Sequence, residues 1–122
     1  MTVRRFIVNV VTAGDGSFTG YTPFLSGKLH AAHYIKTDFT DGVDFTITAE
    51  ATGETIWTES NVNAAAVKAP RMATHSNVGV AILYAATFPV NDKIALSRDR
   101  IKVVIAAGGA AKIGQFQFVV ED

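Results

Sequence analysis

The sequence predicts an all-β chain, a single-domain antiparallel β-sandwich or small barrel of about seven to eight strands with one long loop. Three observations predict it. Apolar and polar residues alternate in several short runs, which is the side-chain period of a strand. Asp-Gly, Gly and Pro signals punctuate the chain at close spacing. The 122 residues make one domain, 1–122, long enough to bury a modest core without disulfides or a metal.

Residues 3–12 alternate, with Phe6, Val8 and Val10 on one face and Arg5, Asn9 and Val11 on the other; Gly14-Asp15-Gly16 then turns the chain. Residues 17–25 are a weaker extended run, an edge strand or one broken at Pro23, which has no N–H for a ladder. Ser26-Gly27 reads as a turn. Residues 28–37 form the next strand, with Leu29, Ala31 and Ile35 on one face and Lys28, Tyr34 and Lys36 on the other. After Thr40-Asp41-Gly42, Phe45, Ile47 and Ala49 alternate with Asp44, Thr46, Thr48 and Glu50. Thr52-Gly53 connects this strand to residues 54–59 in a hairpin, Gly53 taking a positive φ that a β-branched residue resists.

Residues 61–78 lose the period of two. Residues 63–68 have the composition for a helical turn or two, which Pro70 ends. The stretch is the one long loop, either a crossover between two sheets or an arm to a neighbouring subunit. Residues 79–86, GVAILYAA, are apolar on both faces; a flanking glycine and the surrounding strands favour a buried strand over a short helix. Residues 88–92 read as a turn and 93–96 as a short strand. The stretch 98–120 organises the chain. Its residues 101–106 are β-branched, 107–112 hold Gly108-Gly109, and in 113–120 Phe116, Phe118 and Val120 alternate with Gln115 and Gln117. The pattern predicts a hairpin whose first arm, apolar on both faces except at Lys102, is the more central strand. The expected core is Phe45, Ile47, Ile56, Val103, Ile105, Phe116 and Phe118.

Composition narrows the function. Eleven basic residues balance eleven acidic ones, whereas a nucleic-acid binder carries a basic excess, so nucleic acid is not the expected partner. No apolar run approaches a membrane span. With no cysteine there is no disulfide framework, thiolate metal site or cysteine nucleophile. The start, MTVRRFIVNVV, mimics a signal peptide, but Asn9 interrupts the apolar part and Gly14-Asp15-Gly16 ends it early; the mature chain is expected to begin at or next to Met1.

No chemistry-bearing constellation stands out, and neither enzyme activity nor a cofactor is expected. His30 and His33, three apart on a strand, point to opposite faces unless a bulge intervenes, and His75 lies in the long loop without a ligand spacing. Asp15 and Asp41 sit in Asp-Gly turns that lack the alternating ligands of a calcium loop. Gly108-Gly109 lacks the strand-to-helix setting of a phosphate loop, and no serine occupies a nucleophile elbow. Two local basic groups remain, Lys68 with Arg71, and Arg98 with Arg100 and Lys102. They read as solvated charge or as a contact for an acidic protein surface.

The stretches GKLHAAHYIKTDFTDGVDFTITAEATGETIW (27–57) and RDRIKVVIAAGGAAKIGQFQFVVE (98–121) resemble small β-rich proteins encoded among the virion genes of tailed phages and prophages. The resemblance covers about half of the chain and rests on strand pattern, not on a functional motif. It implies a virion structural protein, foremost a capsid decoration or cement protein. Such a protein would be assembled in the host cytoplasm, seated on the major capsid protein, and often trimeric. Alternatives are a tail or head-tail completion protein and, from another class, a carbohydrate- or ligand-binding sandwich, for which Trp57, Tyr21 and Tyr34 are scattered. The segments expected to reach a partner are 1–6 and 61–78, with Arg4, Arg5, Lys68, Arg71, Met72 and His75 as candidate contact residues.

Overall fold

Alternation becomes strand throughout the computed structural model, which describes residues 2–122. In chain order the strands are β1 (Val3–Val11), β2 (Phe18–Tyr21), β3 (Leu25–Lys36), β4 (Val43–Ala49), β5 (Thr55–Val62), β6 (Ala66–Lys68), β7 (Arg71–Ala73), β8 (Leu83–Ala85), β9 (Phe88–Pro89), β10 (Asn91–Asp99), β11 (Ile101–Ala106) and β12 (Ile113–Glu121). All pairings are antiparallel. One sheet runs β1-β12-β3-β10-β7, with β6 also on β3; the other runs β2-β11-β4-β5; β8 and β9 form a separate two-stranded piece. The fold is an all-β sandwich. It has more strands than the sequence suggested because β6 to β9 are short pieces without a period long enough to read.

The inward faces of the two sheets meet in one apolar core that contains every expected member: Phe45, Ile47, Ile56, Val103, Ile105, Phe116 and Phe118 are all buried. Its centre is aromatic. Tyr34 on β3 and Phe116 on β12 face Phe45 on β4 and Trp57 on β5, with Phe45–Trp57 centroids 4.7 Å apart and Phe45–Phe116 5.1 Å, both edge to face. Such pairs add to simple area burial because ring edges and faces carry opposite partial charge. Beside them Phe39 lies against Gly114, where a Cβ would come within 2.2 Å of the ring; a side chain there would have to displace it.

Several expectations are corrected. The segments predicted as arms of one hairpin do not pair. β11 lies between β2 and β4, and β12 between β1 and β3 in the opposite sheet. Residues 107–112 form an arch across the sandwich, with positive φ at Ala107, Gly109 and Ala111. Buried Thr12 fastens it: its hydroxyl donates to the Gly109 carbonyl at 2.5 Å and accepts from the Lys112 N–H at 2.8 Å. Alternation assigns each strand an inward face but not a neighbour, and the arch is long enough to cross the roughly 10 Å between packed sheets.

Ser26-Gly27 is not a turn but part of β3, where Gly27 pairs with Leu96. Gly27 has φ 140°, and a Cβ on it would lie 2.6 Å from the Glu121 carbonyl, so glycine here permits a close crossing of β12. Further along β3 the register slips: Leu29 pairs with Val120, Ala31 with Val119, and His30 is the extra residue of a bulge. The slip reverses the alternation. Ala32 and Tyr34 point inward, and Ala31 and Ile35, expected beside Leu29, point out. Arg71 braces the bulge, its guanidinium donating to the carbonyls of His30 at 3.1 Å, Leu29 at 3.5 Å and Pro70 at 2.8 Å.

Half of the expected loop 61–78 is paired, with no helical turn. β5 extends to Val62, β6 pairs with β3, and β7 with β10. It carries the chain from one sheet to the other, which is the crossover reading. The short strand expected at 93–96 is the longer β10, bulged between Leu96 and Asp99 with Arg98 at φ 48°.

Candidate interaction surface

No residue from 63 to 93 is buried, and this quarter of the chain lies outside the core apart from Ala66, which packs against it. Its distal part, residues 74–90, is an arm rooted where β7 pairs with β10, Ala73 opposite Asn91. At the root Thr74 N–H donates to Val90 O at 2.9 Å, Ile82 N–H to Thr74 O at 3.0 Å, and Val90 N–H to Ile82 O at 2.9 Å. Two reversals shape it. Ser76 N–H donates to Val80 O and Gly79 N–H to Ser76 O, Gly79 taking φ 81°, and Ala86 takes φ 44° between β8 and β9. The expected buried strand 79–86 is therefore on the surface. Its composition reads as core, but its backbone pairs within the arm, β8 with β9 and Ala81 with His75.

The arm presents Val78 (78% exposed), Val80, Ile82, Leu83, Tyr84 (71%), Phe88 (55%) and Val90 to solvent. Tyr84 and Phe88 stack with centroids 5.8 Å apart and planes 21° off parallel. Between residues 74 and 90 there is no Asp, Glu, Lys or Arg. Single exposed apolar residues are ordinary, but contiguous patches beyond a few hundred Å² mark contact sites on soluble proteins.

The six candidate contact residues are not one site. Met72, 40% exposed on β7, and His75, bridged to Ala81, lie at the base of the arm. Arg4 and Arg5 are on β1, at the opposite edge of the same sheet, where Arg4 lies 3.8 Å from Asp122 and Arg5 donates to Gln117 at 2.6 Å. Met1, in the expected segment 1–6, lies outside the described residues. Lys68 is exposed on β6, and Arg71 is engaged by the β3 carbonyls. The residues missed were Val80, Ile82, Leu83, Tyr84, Phe88 and Val90, while Val78 ends the expected segment 61–78. Their signal was an apolar run too long for the strand around it and free of charge, which reads equally as core.

The remaining polar groups form smaller features. Arg100 donates from Nε to Glu50 at 2.8 Å and lies over the Tyr21 ring, 3.9 Å from its centroid. Arg4, Phe6, Phe24, Leu25 and Arg98 line an open groove of about 640 Å³. The bulge that would free His30 and His33 from opposite faces does occur. His30 Nδ1 lies 3.7 Å from Glu121, whose carboxylate accepts from Lys93. That hydrogen bond, with the charges of Lys93, His30 and Lys28, holds the Glu121 carboxyl below the usual carboxylate range. Asp15 sits in its Asp-Gly turn, accepting from Ser17 N–H and hydroxyl, which lowers its pKa; Asp41 accepts from Lys36 at 2.6 Å. Among the described residues no group of three His, Cys, Asp or Glu side chains is placed to hold a metal, and no helix is long and apolar enough to cross a membrane.

No protein-family model matches the chain, and no curated protein matches it. Among solved structures it is similar to one described as the crystal structure of FLHE, with TM-score 0.43 and 9% identity over 98% of this chain and 96% of that one.

Proposed function

We propose that the chain is a structural assembly protein of a tailed-phage virion, a decoration protein that sits on the major capsid shell as a homo-oligomer. The observation that carries this reading is the uncharged apolar arm 74–90, which stands outside a core already complete without it. Nothing among the described residues covers that surface, and a surface of this kind fits a protein partner. The virion and the major capsid protein come from the sequence resemblance. The candidate aromatics of a ligand platform are mostly spent elsewhere, since Trp57 and Tyr34 are buried in the core.

The test is co-sedimentation of the purified protein with bare shells assembled from a tailed-phage major capsid protein. Saturable binding with a fixed ratio to capsid subunits is the expected result. Absence of binding at micromolar concentration, with the protein folded by circular dichroism, refutes the decoration reading.

A further inference from the structure

We infer that the arm 74–90 is a self-association element, packing against the same arm of a second copy about a symmetry axis. This rests on the assembly reading and names the occupant of its surface. Three observations select a second copy. The first is charge. In a two-fold symmetric contact a patch meets its own likeness, so like charges would face one another; the arm has no Asp, Glu, Lys or Arg, and the whole chain has net charge zero. The second is area. The exposed side chains of Val78, Val80, Ile82, Leu83, Tyr84, Phe88 and Val90 present on the order of 700–800 Å², close to one partner's share of a standard interface. The third is the arm's own construction. A two-stranded piece such as β8–β9 is marginal in water unless it packs on something, and its neighbours within this chain leave it uncovered.

The stacked Tyr84–Phe88 pair supplies the aromatic anchor that buried interface centres favour. A membrane surface fits less well. Interfacial elements combine apolar residues with Lys or Arg, and the arm has neither, while its base carries the acidic Asp92 beside Lys93.

The experiment is light scattering and sedimentation velocity on the full chain over a wide concentration range, with two variants. Tyr84→Ser/Phe88→Ser alters exposed side chains only and leaves the core intact. In the second, residues 75–89 are replaced by Asn-Gly, which the Thr74–Val90 hydrogen bond permits because the two ends are adjacent. The parent is expected to be a dimer. The double variant is expected to raise the concentration for half-dissociation by about 100-fold or more, and the excised form to be a folded monomer. A monomeric parent, or an oligomer that survives excision, overturns the inference. Flotation of monomeric parent with phosphatidylcholine vesicles overturns it in favour of a lipid surface. Shell co-sedimentation is run on the same samples: a monomeric parent that still binds shells removes this inference and the homo-oligomer, and leaves only the shell-binding part of the decoration reading standing.

Discussion

Replacing Phe116 by Ala strikes the point where the two sheets hold each other. The ring is fully buried on β12, with Tyr34 of the same sheet at 5.2 Å and Phe45 of the facing sheet at 5.1 Å between centroids. Phe118 and Trp57 lie at 6.3 and 6.5 Å. Removing a buried phenyl forfeits its transfer free energy and leaves a cavity, together roughly 3–5 kcal/mol. Collapse is restricted here, because β12 is held by β1 on one side and β3 on the other. Aromatic pairs worth about 0.5–1.5 kcal/mol each are lost as well. The loss therefore belongs at about 4–5 kcal/mol, against a total stability of about 5–15 kcal/mol for a domain. Urea unfolding followed by far-UV circular dichroism and by Trp57 fluorescence measures it, with the midpoint falling and the slope unchanged. Phe24→Ala, at a ring 66% exposed, is the control and should shift stability by no more than about 0.5 kcal/mol. A loss under about 1 kcal/mol for Phe116→Ala would mean that the two sheets do not interlock through this ring.

Three further outcomes follow from single groups. The buried Tyr34 hydroxyl has no hydrogen-bond partner among the described residues, so Tyr34→Phe should stabilise by about 1 kcal/mol in denaturant titration. Burial pushes its pKa up to about 12, so its contribution is intact below pH 10 and falls as pH rises toward 12; alkaline melts of Tyr34→Phe should lack that loss, and identical profiles would refute the assignment. Arg71→Met keeps the apolar stem but strips the β3 bulge of its donors, with an expected cost of about 1–2 kcal/mol and faster hydrogen exchange confined to β6, β7 and the bulge. Glu121 has its carboxyl pKa lowered first by Lys93, so its contribution is present above the ordinary carboxylate value and disappears as pH falls through the lowered one; Glu121→Gln should flatten that acid limb of the melting temperature, and an unchanged slope refutes it.

Alternation alone determined which side of β4 faces the core, because Phe45, Ile47 and Ala49 share one parity along an unbulged strand. It did the same for β12 with Phe116, Phe118 and Val120, and Gly53 marked the β4–β5 turn through its positive φ. Parity is a local property and survives only while the register is unbroken. The bulge at His30 inserts one residue and puts Tyr34, expected on the outer face, into the centre of the aromatic cluster. No feature of the sequence 28–37 announces that insertion; it falls where β3 pairs β12 over residues 28–36, next to the close pass of Gly27 by Glu121.

Partnership between strands was likewise not in the local pattern. Residues 101–106 and 113–120 have the composition of a hairpin, yet the arch at 107–112 sends them to opposite sheets, because each gains two paired neighbours there. The arm makes the same point about burial. Apolar side chains at 78–90 are a demand for cover, and hydrophobicity states the demand without saying what meets it. The sequence by itself determined an all-β sandwich or small barrel, the inward faces of β4 and β12 and seven members of the core, since these follow from side-chain period and turn chemistry. Tertiary structure alone decided that β11 and β12 part company, that Tyr34 turns inward, and that residues 74–90 stand outside the core, since each depends on which distant strand occupies the adjoining edge.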